Sequence, residues 1–586
     1  MRVPNRCRRT RLFRRVSAPV RLLFRPLRRP VSTVIWLLSA SVLLAGSDWG
    51  LPSTERSRIL LDGGTLTPER SQRMSETREA RRAGKHAHSR VRERKPGVLL
   101  DETERLDALC RFSIHSSAAD EEKTYSALSA IDPSRLRFTP GYILYGGAYL
   151  YPIGAALAIE EKLGFFCVTR NYAHYLDHPE EMARVYRTGR LMNVFAFLMI
   201  LLLLADLGER LHSPRAGALS MASFALSTCA LDQSLVSKSH VWAAFWGMAG
   251  LFFLLRHREK GGFRPLLLSA VAFGWSAGSS PPALALLVFI PLLGKTAARR
   301  IAAALFTALA VFLLFNPFLV YDPSSYLHFA DKHLSGWGCG YGVFSFRKCA
   351  RFLRDFIFRA NCFPASLVGL ATIVAVLLRG PPPLRRLAAG TLGILLAAGA
   401  SICVLRINLF IGPFFALFSG VGAAALLGRV RQGGATVSVL LLSLLFALGL
   451  GSAVLFAWEV IDDREWLAPT RAWIEETEWR DSTTIGFFGY PFEGRPDPRD
   501  TPPLPLLRGR WLNLSAWSEG DPVPDAAVIG VYGDNPLRWE RHPLRSRFRL
   551  ARVLGHRRAF DLLPAWRVPS QARITGSVYV LNKNPE

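Results

Sequence analysis

The sequence predicts an all-α polytopic membrane protein with a small α/β domain at its C-terminal end. Half of the 586 residues are hydrophobic, and the apolar residues are gathered into long blocks without Asp, Glu, Lys or Arg, as membrane-spanning helices require. Basic residues cluster between alternate blocks, as in short cytoplasmic loops. After residue 458 the composition becomes that of a water-soluble segment.

The charge-free blocks predict about eleven membrane crossings. One of them, 265–294, has Gly and Pro at its centre, in the run from Gly278 to Pro282, so we expect two short helices that meet in a break. That break is expected either to line a groove for a lipid or to be a packing kink. The blocks are 30–47, 191–205, 216–231, 239–255, 265–294, 301–321, 360–378, 387–405, 407–428 and 432–458.

The arginines set the expected orientation, because short cytoplasmic loops hold an excess of Lys and Arg. The first 29 residues carry eleven Arg and no acid, which predicts a cytoplasmic N-terminus and an extracytoplasmic C-terminus. The net charge of +28 then reflects topology and anionic headgroups, and nucleic-acid binding is not expected. The basic loops hold Arg256, Arg258, Lys260 and Arg264; Lys295, Arg299 and Arg300; Arg379, Arg385 and Arg386; and Arg429 and Arg431.

The predicted domain organisation has three parts. Residues 1–29 form a basic cytoplasmic arm, and 30–458 form the transmembrane domain. This domain includes two long outside loops, 48–185 and 322–359, and the length of the first indicates that it has a function of its own. Residues 459–586 form an extracytoplasmic α/β domain, with a helix at 470–476 and buried strands at 483–488 and 526–532.

The first outside loop contains an acidic trio at 120–122. Asp120 and Glu121 are candidates for a general base pair or for a pair that binds a divalent metal, since a positioned carboxylate can accept the proton of a reacting hydroxyl. The alternative is a solvated helix N-terminus, where acids favour the helix dipole. The aromatic segment 142–163 that follows is expected to be a helix lying flat on the membrane surface.

Four cations lie at the expected outer ends of apolar blocks and are candidates for binding a phosphate group. The alternative is that they are helix anchors whose side chains extend to the interface. Arg190 belongs to a pair with Arg187 that is typical of such an anchor, whereas Arg406 interrupts an otherwise continuous apolar run. The four candidates are Arg190, Lys238, His240 and Arg406.

Several segments form an ordered pattern along the chain: 49–56, 119–121 with 127–133, 145–152, 175–184 with 189–191, 316–317 with 322–323, and 406–413. Taken in this order, they resemble the bacterial glycosyltransferase family 39 proteins of the GT-C superfamily, relatives of the dolichyl-phosphate-mannose protein mannosyltransferases. The chain departs from that family's pattern at His240, where Asp is usual, and at Gly278-Ser279-Ser280, where Gly-Thr-Lys is frequent. The resemblance covers roughly residues 45–475.

This resemblance implies a GT-C fold in a bacterial inner or plasma membrane. It also implies a transferase that moves a sugar from a polyprenyl-phosphate donor to a protein, glycan or lipid acceptor at the outer face, with inversion. Asp120 falls on the family's acidic position, where the base sits, and Glu121 accompanies it. Arg190, Lys238, His240 and Arg406 are then expected to neutralise the leaving lipid phosphate; no cofactor other than a possible divalent metal is expected.

Two other functions are compatible with the sequence. A lipid or solute transporter is expected to hold ionisable groups near the bilayer midplane, whereas most charges here lie at block edges. A catalytically silent relative that acts as an assembly partner would account for the departures at His240 and Ser280.

Overall fold

A computed structural model describes the chain in segments. These are residues 24–60, 66–87, 102–140 without 117, 119 and 120, 145–294, 296–324, 327, 350, 352–354, 356–357, 363–401, 406–429, 447, 450–451, 454, 484–488, 510–514, 519–520, 523–530, 539, 541–554 and 578–583. Asp120, most of the second outside loop, most of the block 432–458 and the helix expected at 470–476 lie outside these residues.

Helices dominate the described chain before residue 430. Seven precede the longest one: α1 (Pro30–Gly46), α2 (Thr54–Leu60), α3 (Pro68–Ala87), α4 (Glu102–Ile114), α5 (Glu121–Leu128), α6 (Gly147–Lys162) and α7 (Tyr172–Asp177). The next group is α8 (Pro179–Leu211), α9 (Pro214–Ala225), α10 (Thr228–Ser234), α11 (Ser239–Lys260), α12 (Phe263–Ser279) and α13 (Phe289–Leu293). The last are α14 (Ala298–Phe315), α15 (Phe318–Tyr321), α16 (Phe363–Arg379), α17 (Pro382–Ser401) and α18 (Gly412–Arg429). Short 3₁₀ segments lie at Arg25–Arg28, Pro133–Arg135, Pro281–Val288, Arg406–Ile411 and Pro543–Arg547.

Within the described residues, three helical stretches are long and apolar enough to cross a bilayer: Pro179–Leu211, Ala298–Phe315 and Asn408–Gly428. In α14 most apolar side chains are at least partly exposed; Phe306 is 74% and Leu314 73% exposed. Such exposure is unfavourable in water and natural in lipid. The chain is therefore an α-helical membrane protein, and the count of about eleven crossings stays a prediction.

One predicted membrane span is not a single helix in the structure. The block 216–231 is divided between α9 and α10, because the side chain of Ser227 accepts a hydrogen bond from Ala230 N and begins a new helix. With 12 residues, α9 is about 18 Å long, which is shorter than the hydrocarbon core of a bilayer.

The long helix α8 joins the segment predicted to be the first outside loop to the apolar part of the chain. Pro179 stands in its first turn together with Glu180 and Glu181, an arrangement that favours a helix start. Its apolar half is mostly buried inside the protein, against α9, α11 and α1. Arg190 and Asn193, in the N-terminal half of α8, are thereby held in a rigid element.

The break expected in block 265–294 is confirmed. Helix α12 ends at Ser279, and the chain continues as a 3₁₀ segment from Pro281 and then as α13. Pro281 and Pro282 lack the N–H groups that a continuing helix needs, and Ser280 before them is extended, with φ −145° and ψ 104°.

A five-stranded mixed sheet lies in the C-terminal segment, in the order β2-β1-β3-β5-β4. The strands β1 and β3 lie where the sequence predicts them, and they pair in parallel, with Ile485 opposite Ala526. The bounds 459–586 and the extracytoplasmic position stay predictions. The strands are β1 (Thr484–Phe488), β2 (Arg510–Asn513), β3 (Ala526–Gly530), β4 (Phe548–Leu554) and β5 (Val578–Lys583).

Candidate functional site

The acidic trio lies at the start of helix α5. Glu121 is the first residue of this helix, as the alternative interpretation of a helix N-terminus requires. Its side chain is not solvated, however, because Glu121 is 0% exposed. Asp120, the residue directly before it, lies outside the described residues, so its role as a base stays a prediction.

Glu121 forms a bidentate ion pair with Arg190 of α8. Arg190 Nε donates to Glu121 Oε1 at 2.9 Å, and Nη2 donates to Oε2 at 2.7 Å. Arg190 is also 0% exposed. A pair of this geometry compensates part of the large free energy needed to remove two charges from water.

The remaining N–H groups of Arg190 bind the chain on either side of the pair. Nη1 donates to the carbonyl oxygens of Ser47 and Trp49, at 2.9 and 2.6 Å, and Nη2 donates to Ser116 Oγ at 2.9 Å. All five N–H donors of the guanidinium therefore have protein acceptors. Arg190 connects α8 to the end of α1 and to the segment before α5, an arrangement that favours positioning over direct contact with a phosphate.

The same carboxylate binds the segment that precedes α11. The backbone N–H of Ser237 donates to Glu121 Oε1 at 2.7 Å, and the carbonyl oxygen of Ser237 accepts from Thr124 Oγ1 at 2.6 Å. Both backbone polar groups of Ser237 are therefore held by α5. The acidic helix start and the segment 236–240 form one buried unit, although more than 100 residues separate them in sequence.

Two of the predicted phosphate-binding cations follow Ser237 directly. Lys238 is the N-cap residue of α11, and His240 lies in the first turn of that helix. They are 1% and 6% exposed, respectively. A Lys ammonium and an imidazole at the positive end of a helix suit an anion there.

Arg406 is the first residue of the 3₁₀ segment that leads into α18, and its side chain lies outside the described residues. This 3₁₀ segment packs against α11. The backbone of Arg406 is thus in an element next to the helix that begins after Lys238. Its contact with a phosphate stays a prediction, as do those of Lys238 and His240.

Several polar residues in this unit were not predicted. Asn193 Nδ2 lies 2.6 Å from the carbonyl oxygen of Val236 and 2.8 Å from that of Lys238. Asn193 lies three residues after Arg190, so both side chains are on one face of α8. That i, i+3 polar pair at the start of an apolar run was the sequence signal that could have revealed them.

Two tyrosines complete the network around the Ser237 side chain. The hydroxyls of Tyr125 and Tyr149 lie 3.0 and 3.2 Å from Ser237 Oγ. Burial, with the nearby charge of Glu121, raises the pKa of Tyr125 well above its usual value. The phenol is therefore neutral at physiological pH, which suits a hydrogen bond inside a closed network.

Gly146, the N-cap residue of α6, packs against the helix break. Gly146 N donates to the carbonyl oxygen of Ser279, and Asn316 Nδ2 donates to that of Gly278. A Cβ atom at Gly146 would overlap the Gly278 carbonyl oxygen. The start of α6 therefore satisfies backbone groups freed by the break, so the part of the break at Gly278 and Ser279 is a packing site for α6.

The described side chains do not form a metal centre. Within the described part of the chain, no group of three or more His, Cys, Asp or Glu side chains is placed to hold a metal ion. Glu121 does not fit such a site, because both of its oxygens accept N–H donors and its side chain is closed off from solvent. A divalent metal at Asp120 stays a prediction.

No family model and no curated protein sequence matches this chain. Solved structures with a distant likeness are known. ArnT from Cupriavidus metallidurans bound to undecaprenyl phosphate shares 12% identity at a TM-score of 0.41, over 95% of this chain and 98% of ArnT. The archaeal oligosaccharyltransferase AglB from Archaeoglobus fulgidus, in complex with an inhibitory peptide and a dolichol-phosphate, shares 13% identity at a TM-score of 0.41, over 82% of this chain and 64% of AglB.

The arabinofuranosyltransferase AftD from Mycobacteria shares 13% identity at a TM-score of 0.40, over 95% of this chain and 40% of AftD. Identities and TM-scores this low establish neither a common fold nor a common activity. The function has to be argued from the residues of this chain.

Proposed function

We propose that this chain is a membrane glycosyltransferase of the GT-C type, which moves a sugar from a polyprenyl-phosphate donor to an acceptor hydroxyl at the extracytoplasmic face. The observation that supports this most is the hydrogen bond between Glu121 Oε1 and Ser237 N. It holds the helix start that follows Asp120 against the residues that precede Lys238. A base and a cation in one place are what such a transfer needs.

In this proposal Asp120 is the general base. It accepts the proton of the acceptor hydroxyl as the oxygen attacks the anomeric carbon, and the bond from that carbon to the phosphate oxygen breaks. The attack comes from the face opposite the phosphate, so the configuration at the anomeric carbon inverts. The polyprenyl phosphate leaves with the bonding electron pair.

The cationic residues are assigned to the leaving group. Lys238 and His240, at the N-terminal end of α11, stabilise the negative charge that grows on the phosphate as the bond breaks. Arg406 is assigned to the same phosphate. Arg190 acts indirectly, because its N–H groups are used to orient Glu121 and the chain near Ser47 and Ser116.

The proposal agrees with where the charges lie in a membrane protein. A buried Lys and a buried Glu–Arg pair require a large compensating free energy, and in membrane proteins such groups usually mark a site of function. Family 39 membership, the polyprenyl-phosphate donor and the inversion are the parts of the proposal that rest on the sequence resemblance.

The test is a transfer assay on the purified full chain in lipid vesicles. Polyprenyl phosphates, each with a different radiolabelled sugar, are supplied with a membrane extract as the acceptor source. We expect one sugar to leave its lipid and enter a product. Uptake of labelled solute into the vesicles with every sugar still on its lipid would instead indicate a transporter. If no sugar leaves unless a copurifying transferase is added, the chain is an assembly partner.

A further inference from the structure

We propose that a second lipid site lies on the outside of the proposed reaction unit: an interfacial pocket that binds the headgroup of a zwitterionic phospholipid carrying a primary ammonium. The pocket has a volume of about 290 Å³. It is formed where the C-terminal end of α6 and the turn after it meet the outer part of α8. Its lining residues are Glu160, Phe165, Phe166, Arg184, Arg187, Thr188 and Leu191.

The pocket lies at the depth where the membrane surface is expected. Leu191 begins the apolar half of α8, and Asp48 follows the end of α1 at Gly46. Arg187 Nε binds Asp48 Oδ1 at 2.6 Å, so the apolar parts of both helices begin at the same level. The pocket therefore opens where hydrocarbon gives way to headgroups.

Apolar side chains next to the pocket face outward. Ile159, Leu163 and Phe165, at the end of α6 and just beyond it, are 59%, 63% and 58% exposed. Leu191 and Phe195, one turn apart on α8, are 38% and 52% exposed. Along α8 the charged Arg184 and Arg187 come before the apolar Leu191 and Phe195, which is the order of a phospholipid, with its headgroup in water and its chains in lipid.

The charges of the lining residues match a zwitterion. Arg184 is exposed; one of its Nη groups donates to the Phe165 carbonyl oxygen, and its other N–H groups are available for a phosphodiester. The Nε of Arg187 donates to Asp48, and its Nη groups can donate to the same phosphodiester. Arg is well suited to this role, because its planar fork binds two phosphate oxygens at once.

Glu160 supplies the opposite charge in the same pocket. Its Oε2 accepts a hydrogen bond from Thr188 Oγ1 at 2.6 Å, which fixes the carboxylate beside α8. A primary ammonium can donate hydrogen bonds to this carboxylate, whereas the quaternary ammonium of choline has no N–H group. An anionic headgroup without an ammonium would leave Glu160 facing a like charge.

The experiment measures which phospholipid the delipidated protein retains. The full chain is incubated with equal amounts of dioleoyl phosphatidylethanolamine, phosphatidylcholine and phosphatidylglycerol, and bound lipid is read by native mass spectrometry. We expect phosphatidylethanolamine to be retained about tenfold over the other two, the effect of one charge-assisted hydrogen bond at a partly exposed site. Equal retention of all three lipids, or a preference for phosphatidylglycerol, would overturn the proposal.

Matched variants locate the site. Glu160→Gln keeps the shape and removes the charge, so retention of phosphatidylethanolamine should fall to that of phosphatidylcholine, and Arg184→Gln should lower both. The exposed Glu55→Gln and Arg170→Gln are the controls, and both should behave as the parent. Unchanged preference in Glu160→Gln would contradict the assignment, and displacement of the lipid by an equal concentration of soluble phosphorylethanolamine would show that a soluble phosphate ester is the ligand instead.

Discussion

Glu121 and Arg190 form an ion pair in which neither side chain is exposed to solvent. The pair connects the helix that begins at the acidic trio to the long helix α8. The same Glu121 oxygen that binds Arg190 Nε also accepts the Ser237 N–H. Three segments distant in sequence therefore meet at one carboxylate, and its loss should loosen all three.

The first prediction concerns the stability that this pair confers. Glu121→Gln should lower the free energy of unfolding by about 3–5 kcal/mol, because it leaves the buried Arg190 guanidinium without its counter-charge. Arg190→Met should lower the free energy of unfolding by a similar amount, because it leaves the buried Glu121 carboxylate without its counter-charge. The measurement is unfolding of the purified protein by SDS titration, with Glu122→Gln as the control at the neighbouring position.

The double variant distinguishes an ion pair from two separate packing effects. Glu121→Gln combined with Arg190→Met leaves neither charge buried, so its loss of stability should be clearly smaller than the sum of the two single losses. Additive losses would mean that the two residues act independently.

A second prediction concerns the contact between the start of α6 and the helix break. Gly146→Ala should prevent stable folding, because the new methyl group would overlap the carbonyl oxygen of Gly278. Gly393→Ala is the matched control: Gly393 lies within α17 with open space around it, so the same change should be neutral or stabilise by up to about 1 kcal/mol. Yield of monodisperse protein in detergent and its Tm report both effects. A Gly146→Ala protein with the parent Tm would disprove the close approach.

A third prediction concerns the donor phosphate. Lys238→Met should raise the KM for the polyprenyl-phosphate sugar and lower kcat, since the ammonium is assigned to the charge on the leaving phosphate. Lys260→Met, an exposed change at the other end of α11, should leave both parameters unchanged. Steady-state kinetics with the labelled donor measure KM and kcat for both variants. Equal KM and kcat for the two variants would remove Lys238 from the phosphate site.

A fourth prediction concerns two free cysteines, Cys110 and Cys167, which lie between α1 and α8. Burial raises the pKa of the Cys110 thiol to about 12, so at pH 8 only about one molecule in ten thousand carries the reactive thiolate. Cys167 is exposed and should be alkylated by N-ethylmaleimide at that pH, while Cys110 reacts only after unfolding in SDS. Peptide mass spectrometry reads both sites. Equal labelling of the two in the folded protein would show that α4 is not packed as described.

The sequence predicts the parts of the fold that depend on local chemistry. The break at Gly278–Pro282 follows from two adjacent prolines, and strand β1 follows from a short apolar run that ends at a Pro-rich loop. The division between α9 and α10 escaped prediction, because Ser227 in an apolar run is read as an ordinary membrane residue unless its capping bond is seen.

The site was predicted as a set of residues and not as an arrangement. Glu121 and Arg190 are 69 positions apart, and no local pattern shows that a charge at the end of an apolar block has a partner elsewhere. Taken alone, Glu121 is interpreted as a catalytic or a solvated acid, and Arg190 as a phosphate ligand or a helix anchor. The same reason explains why the sequence does not reveal Asn193, Ser237 and Tyr149. Nothing in the sequence shows that these polar side chains are buried together and hydrogen-bond within the protein.

In the proposed reaction site, the acidic start of α5 and the residues after Ser237 act together, with Asp120 as the base. The most direct test compares the rate of sugar transfer by Asp120→Asn with that of the parent and of Glu122→Gln, each shown to have the parent Tm. We expect Asp120→Asn to be slower by about 10²- to 10⁴-fold, with Glu122→Gln close to the parent. Transfer by a folded Asp120→Asn protein at the parent rate would contradict the account.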